Sequence, residues 1–247
     1  MPSAGHATAE VGSDPSLGLG AGRFIVLEGP DGAGKSVQAP RLVAHLRQRG
    51  FDVTLTREPG GTPLGEQIRG VLLDPGPVAR GPVADALLFN AARSQLVAEV
   101  IRPALASGSI VVSDRYATST MAYQGYGSGV DREVLAGIER LVTGGLAPDL
   151  VVLIDVPAAV GLARRQVGST SERTRFEDAE RHDSAFHERV RKGYLEMAAA
   201  EPGRWVTVTG DASVEDVAAS VAGAVDAFLL RSGVHGPSTT DRASPGT

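Results

Sequence analysis

Lys35 and Ser36 close the octapeptide Gly29-Pro30-Asp31-Gly32-Ala33-Gly34-Lys35-Ser36, whose spacing is G-x-x-x-x-G-K-S. Each residue type has a chemical reason. Glycines let successive backbone N–H groups converge on one point, which makes a nest for an anion. A helix beginning there aims the positive end of its dipole at the same point. A lysine at this position reaches the outer phosphates of a nucleoside triphosphate, and the serine hydroxyl is placed to hold Mg²⁺. A glycine-rich turn between a strand and a helix would use similar residues without any chemistry. Against that stands the rarity of lysine, since Lys35 and Lys192 are the only two in the chain. The octapeptide therefore reads as a phosphate-binding loop, the P-loop.

Other clusters carry charge or ring faces. Thr56-Arg57-Glu58-Pro59-Gly60-Gly61-Thr62 follows a predicted strand. An arginine there can grip a phosphate bidentately, while Glu-Pro-Gly-Gly suits a tight turn equally well. Ser113-Asp114-Arg115-Tyr116 ends another predicted strand. An Asp at such a point can organise Mg²⁺ and its waters, with Arg115 entering the same crevice, or it can simply cap the next helix. Phe89 and Arg93 are four residues apart on one predicted helix face, where a ring and a guanidinium could hold a base. On spacing alone, core packing explains them better. Thr118-Ser119-Thr120-Met121-Ala122-Tyr123-Gln124 offers hydroxyls, a phenol and an amide on a helix after the Asp-Arg-Tyr turn, and taken alone is unremarkable. The five histidines show no ligand spacing, and the absence of cysteine excludes disulfides and thiolate chemistry.

These residues need a scaffold. Apolar runs alternate with helical patterns, the signature of a parallel sheet covered by helices. Strands are predicted at 23–28, 52–56, 110–114, 150–155 and 205–209. Helices are predicted at 34–49, 82–106, 131–143, 157–167, 178–200 and 213–231, with Pro40 bending the second turn of the first. The 82–106 pattern carries two apolar rows, Leu96/Val100/Ala104 and Val97/Ile101/Leu105, a stripe wider than one packing face needs. Residues 1–21 and 232–247 are polar, rich in Gly, Ala, Ser and Pro, and are expected to be a disordered leader and tail around a folded unit at 22–231. A formal charge of −5 without a basic run argues against a nucleic-acid partner. No apolar run approaches membrane-spanning length and residues 1–21 do not resemble a signal peptide, so a cytoplasmic protein is expected.

Taken together, GPDGAGKS at 29–36, TREPGGT at 56–62, LLFNAARSQL at 87–96, SDRYATSTMAYQG at 113–125, APDLVVLIDV at 147–156 and RFE at 175–177 resemble the thymidylate kinases, in order and in spacing. The resemblance implies an α/β P-loop NTPase fold, with a five-stranded parallel sheet in the order 2-3-1-4-5, flanking helices and a short lid at about 164–177. It implies transfer of the ATP γ-phosphoryl group to dTMP, with Mg²⁺, in a homodimer. Lys35 and Ser36 would meet the ATP phosphates and Mg²⁺, with Asp114 as the second metal residue. Arg57 and Arg115 would bind the acceptor phosphate, and a cis Glu58–Pro59 bond would aim Arg57. Asp31 would approach the acceptor sugar and phosphate. Phe89 would stack on thymine, Arg93 and Thr120 would bond its edge, Tyr123 would close where a ribose 2′-hydroxyl would sit, and Gln124 would line the same pocket. The loop has no arginine, whereas 164, 165, 173 and 175 are all arginine, which resembles the bacterial variant in which the lid supplies the catalytic cation. Arg173 and Arg175 are the candidates. Val37, Pro40 and Thr174 depart from the family's usual residues. A kinase for another pyrimidine monophosphate, or a nucleotide-binding regulator without catalysis, are the competing readings.

Overall fold

A computed structural model describes residues 22–74, 80–168 and 184–234, with 165–168 described by backbone alone. The first strand, β1 (Arg23–Glu28), leads through the P-loop into helix α1 (Lys35–Gln48). Strand β2 (Val53–Arg57) is followed by α2 (Pro63–Leu73), then by α3 (Pro82–Leu96), which runs on through a π-type turn at Val97–Ile101 into α4 (Arg102–Ala106). After β3 (Ile110–Asp114) comes α5 (Ala117–Thr120), continued by a second π-type segment, Met121–Gly127. The chain ends with α6 (Arg132–Thr143), β4 (Leu150–Asp155), α7 (Ala158–Gly168), α8 (Ser184–Ala200), β5 (Trp205–Thr209) and α9 (Val214–Arg231).

The five strands form one parallel sheet in the order β2-β3-β1-β4-β5, as the family resemblance implies. Their carboxyl ends are level. Leu27 of β1 sits opposite Asp114 of β3, and Asp114 sits opposite Arg57 of β2. Parallel sheets bind ligands in the crevice beyond these ends, where the connections leave neighbouring strands for opposite faces. Every predicted strand is found, with the second shifted by one residue. Helix α1 runs through Pro40 as one helix.

Helix α2 has no counterpart in the sequence reading. Its start signals are conventional: the Thr62 hydroxyl accepts from the Gly65 N–H at 3.0 Å and Pro63 occupies the first turn. The sequence pattern takes in Thr62 only as the end of the TREPGGT turn. The predicted helix 178–200 is seen from Ser184, and its earlier residues lie outside the described ones.

Strand alternation sorts the core. Ile25 and Leu27 face α1 and α9, packing with Leu42, Leu46, Val221 and Val225. Phe24 and Val26 face the other way, toward Leu96, Val97, Ile101 and Tyr116. A third cluster joins Val151, Leu153 and Trp205 to Phe186, Val190 and Tyr194 of α8. The wide stripe of α3–α4 is thereby explained within the chain. Leu96, Val97 and Ile101 are buried, with Val100, Ala104 and Leu105 packed beside them. Among the described residues no helix is long and apolar enough to cross a membrane.

Candidate active site

The P-loop leaves the end of the central strand and must turn sharply. Gly29 takes φ 147° and Gly32 takes φ 75°, backbone regions a side chain disfavours. Space forbids one as well, because a Cβ on Gly32 would lie 2.0 Å from the Gly161 carbonyl oxygen. The Lys35 ammonium lies inside the loop, donating to the carbonyls of Gly29 at 2.8 Å and Pro30 at 2.9 Å. An ammonium has three donors, so one remains for a phosphate oxygen. Burial, reinforced by the nearby Arg115 charge, lowers the Lys35 pKa to about 8. Ser36 is exposed at the head of α1.

A cavity of about 280 Å³ opens beside the loop. Asp31 and Ser36 line its P-loop end, Asp114 and Arg115 come from the end of β3, and Arg57 from the end of β2. Phe89 of α3 and Thr120, Tyr123 and Gln124 of the α5 segment line it as well. Thus residues far apart in sequence, singled out for separate reasons, share one chamber. The Glu58–Pro59 peptide bond on its wall is cis.

Arg115 is the most constrained side chain here. Its backbone is left-handed, at φ 74°. Its guanidinium pairs with the Asp31 carboxylate and donates to the hydroxyls of Ser119 at 3.0 Å and Tyr123 at 3.3 Å. Burial opposes its charge, but Tyr123, Asp31 and other neighbours outweigh burial and hold its pKa well above the usual arginine value. Arg57, by contrast, is half exposed and forked onto Glu66, both contacts 3.0 Å, while Glu66 also accepts from the Gly61 N–H at 2.8 Å.

Arg93 is not on the cavity wall. It lies beneath, 1% exposed, bonded through Nε and Nη2 to Glu58 at 2.9 and 2.7 Å. It also donates to Asn90 Oδ1 at 3.0 Å and to Thr120 Oγ1 at 3.1 Å. Burial pushes the Glu58 carboxyl up to about 7, against the pull of Arg93. Most of the five N–H donors of Arg93 are therefore engaged by the protein, and through Thr120 and Glu58 it stiffens two parts of the wall.

Some lining residues escaped the sequence reading. Arg69 and Leu73 come from the unforeseen α2, and Arg69 donates to the Pro59 carbonyl at 2.9 Å. Ser119, inside the hydroxyl-bearing run 118–124, also lines the cavity. Of the expected lid, Arg164 donates to the Gly210 carbonyl at 2.7 Å and approaches Asp211 at 3.5 Å. Arg173, Arg175 and the side chain of Arg165 lie outside the described residues.

A phosphate nest, two arginines at adjacent strand ends and an aromatic-walled pocket suit a reaction between two phosphorylated nucleotides. The family model described as Thymidylate kinase matches residues 27–221. The chain belongs to the thymidylate kinase family. It is 46% identical over 202 residues to the thymidylate kinase of Geobacter sulfurreducens, covering 81% of this chain and 95% of that one. With the thymidylate kinase of Trichlorobacter lovleyi it shares 48% identity over 204 residues, covering 82% and 96%. The crystal structure of thymidylate kinase from Ehrlichia chaffeensis superposes with a TM-score of 0.67 at 30% identity, over 83% of this chain and 99% of that one. Family membership thus covers both the P-loop and the whole wall of the cavity.

Proposed function

We propose that this chain transfers the γ-phosphoryl group of ATP to dTMP, giving dTDP and ADP. The observation that carries the reading is the single cavity that joins Asp31 and Ser36 of the P-loop to Arg57, Arg115 and the Phe89–Gln124 pocket. The acceptor is an anionic phosphate oxygen, so the reaction needs no strong base. It needs two anions brought together and charge stabilised on the group in transit. The loop N–H groups and Lys35 hold the outer phosphates of ATP. Arg115, already oriented, meets the acceptor phosphate, and Arg57 swings from Glu66 to the same group. Asp31 keeps the Arg115 guanidinium turned toward the loop and sits beside the acceptor. Phe89 offers a ring face to thymine, with Thr120 and Gln124 at the base edge and Arg93 locking Thr120 from below. The Tyr123 ring occupies the sugar side and favours a deoxyribose. Arg173 or Arg175 supplies the last cation when the 164–177 segment covers the site, which also excludes water.

Mg²⁺ fits the residues present. Ser36 and Asp114 present a hydroxyl and a carboxylate to one cavity, the hard oxygen donors that this ion prefers, leaving most of its coordination to water and phosphate. Bound there, it would neutralise phosphate charge. The chain acts in the cytoplasm as a homodimer on this reading, with residues 1–21 and those beyond the last helix as polar extensions.

A nucleotide panel tests the reaction. Purified protein with ATP and Mg²⁺ releases ADP in a dTMP-dependent manner, faster than with dUMP or UMP. Faster turnover of UMP would overturn the base and sugar assignments, and no dTMP-dependent ADP release would favour a regulator.

A further inference from the structure

Glu28 is a carboxylate in an apolar place. Alternation puts it on the same face of β1 as Phe24 and Val26, and it is 0% exposed. A buried charge is costly unless its lone pairs are filled. Four donors fill them. Oε1 accepts from the Tyr116 N–H at 3.0 Å and the Thr118 hydroxyl at 2.6 Å. Oε2 accepts from the Ser119 hydroxyl at 2.7 Å and the Tyr194 hydroxyl at 2.9 Å.

The protons have a direction. Each hydroxyl has one proton, and a carboxylate can only accept. Ser119 and Tyr194 also stand 2.9 Å apart, where either hydroxyl could donate to the other, but a carboxylate is the stronger acceptor, so both protons go to Glu28 and both oxygens present lone pairs on their other side. Arg115 Nη1 lies there, 3.0 Å from Ser119 Oγ and 3.4 Å from the Tyr194 oxygen. The polarity therefore runs from guanidinium through hydroxyl to carboxylate. The same carboxylate holds the turn that carries Arg115. Its left-handed backbone, sparsely populated for residues with a Cβ, is pinned by the Arg115 N–H on the Leu27 carbonyl at 3.0 Å and by the next N–H on Glu28.

We infer that Glu28 is a positioning residue for phosphoryl transfer: by taking the hydroxyl protons of Ser119 and Tyr194 it makes both oxygens acceptors for Arg115 and fixes that guanidinium at the acceptor end of the cavity. This rests on the reading of Arg115 as the cation for the acceptor phosphate. It also gives Tyr194 of α8 a task, tying the helix that follows the 164–177 segment to the acceptor site.

Glu28→Gln separates the charge from the shape. The Tyr116 N–H is fixed in the backbone and cannot turn, so the amide oxygen must face it. The amide nitrogen then faces Ser119 and Tyr194; one of their protons passes between the two oxygens, 2.9 Å apart, and the other turns toward Arg115, donor against donor. The dTMP KM of Glu28→Gln rises on the order of tenfold to a hundredfold, the loss of hydrogen bonding to a charged group. The ATP KM stays within about twofold, because the P-loop contacts are untouched. Tyr194→Phe and Ser119→Ala each remove one relay, and each raises the dTMP KM by roughly two- to tenfold. In an Arg115→Ala background, Glu28→Gln weakens dTMP binding, measured by calorimetry, by less than about twofold, since coupled residues do not add. Unchanged dTMP KM in Glu28→Gln, or dTMP and ATP KM rising together, overturns the inference. Should Glu28→Gln fail to fold, unchanged dTMP KM in both Tyr194→Phe and Ser119→Ala overturns it. If the wild-type protein does not phosphorylate dTMP at all, the reading of the reaction falls and this inference with it, an outcome distinct from wild-type turnover that the variants leave intact.

Discussion

Two cations divide the work at the scale of single residues, and their surroundings make them differ in kind. Arg115 is held charged by Asp31 and by a ring of hydroxyls. Removing it removes a positioned charge, not a fold contact of the core. Arg115→Ala should lower kcat/KM for dTMP by about 10²–10³, the range for one positioned electrostatic donor. ATP binding measured by calorimetry should stay near wild type, and near-normal dTMP phosphorylation would refute the role. Lys35 is instead held by desolvation, with its pKa lowered to about 8. Its charged form is needed to meet ATP, and kcat/KM reports the free enzyme. The kcat/KM for ATP should therefore fall as pH rises through about 8. The kcat profile should break at higher pH, because bound phosphates restore the charge. For stability the sign is opposite: the unfolded lysine keeps its proton up to its ordinary 10.5, so between about 8 and 10.5 this residue makes the fold more stable as pH rises. A flat ATP profile from pH 7 to 10 would show that Lys35 is not the titrating group in this step. Lys35 was legible because its glycine spacing is local. Glu28 carries no such local pattern, and its partners, Thr118, Ser119 and Tyr194, come together only in the folded chain.

Elements carry these residues only as well as they pack. The Met121–Gly127 segment holds Tyr123 and Gln124 and lies directly against α8, which supplies Tyr194. The contact depends on two positions with no side chain. A Cβ on Gly193 would stand 2.6 Å from the Tyr126 ring, and one on Gly127 would stand 2.6 Å from Phe186. Gly193→Ala should cost about 1–3 kcal/mol in chemical denaturation, the usual penalty of overpacking. It should also raise the dTMP KM, since Tyr123 would move with its segment. Denaturation at the wild-type midpoint would mean that the helices have room to part. Strands and long helices were legible because continuous β-branched runs and 3.6-residue periods are local patterns. Helix α2 was not, because Thr62-Pro63 reads as turn chemistry when Glu-Pro-Gly-Gly precedes it. With α2 unseen, Arg69 and Leu73 had no place on the cavity wall. Arg93 was placed by spacing beside Phe89, whereas the fold sets its guanidinium under the wall against Glu58, a partner 35 residues away.

At the scale of the whole molecule, the proposed homodimer needs an apolar face that the chain leaves uncovered. The apolar rows of α3–α4 go largely into the core, and other apolar residues stand more exposed. Val83 and Leu87 are 55% and 51% exposed one turn apart on α3, and α6, which packs on α3, exposes Val134 and Leu141 at 56% and 82%. Helix α2, which also packs on α3, exposes Leu64 and Val71. Each pair recurs at helical spacing, so each is one face of its helix. Singly exposed apolar residues are ordinary, but paired rows on three adjoining helices are what a self-complementary interface buries. Because α2 and α3 also carry Arg69 and Phe89 into the cavity, a partner pressed on their outer faces would stiffen the acceptor wall. Sedimentation equilibrium at micromolar concentration should give twice the 25.5 kDa chain mass. Leu87→Glu, which places a charge on that surface, should shift the protein to monomer and raise the dTMP KM while the ATP KM holds. A wild-type monomer would remove the dimer from the account, and a monomeric Leu87→Glu with unchanged dTMP KM would show that the acceptor wall stands without a partner.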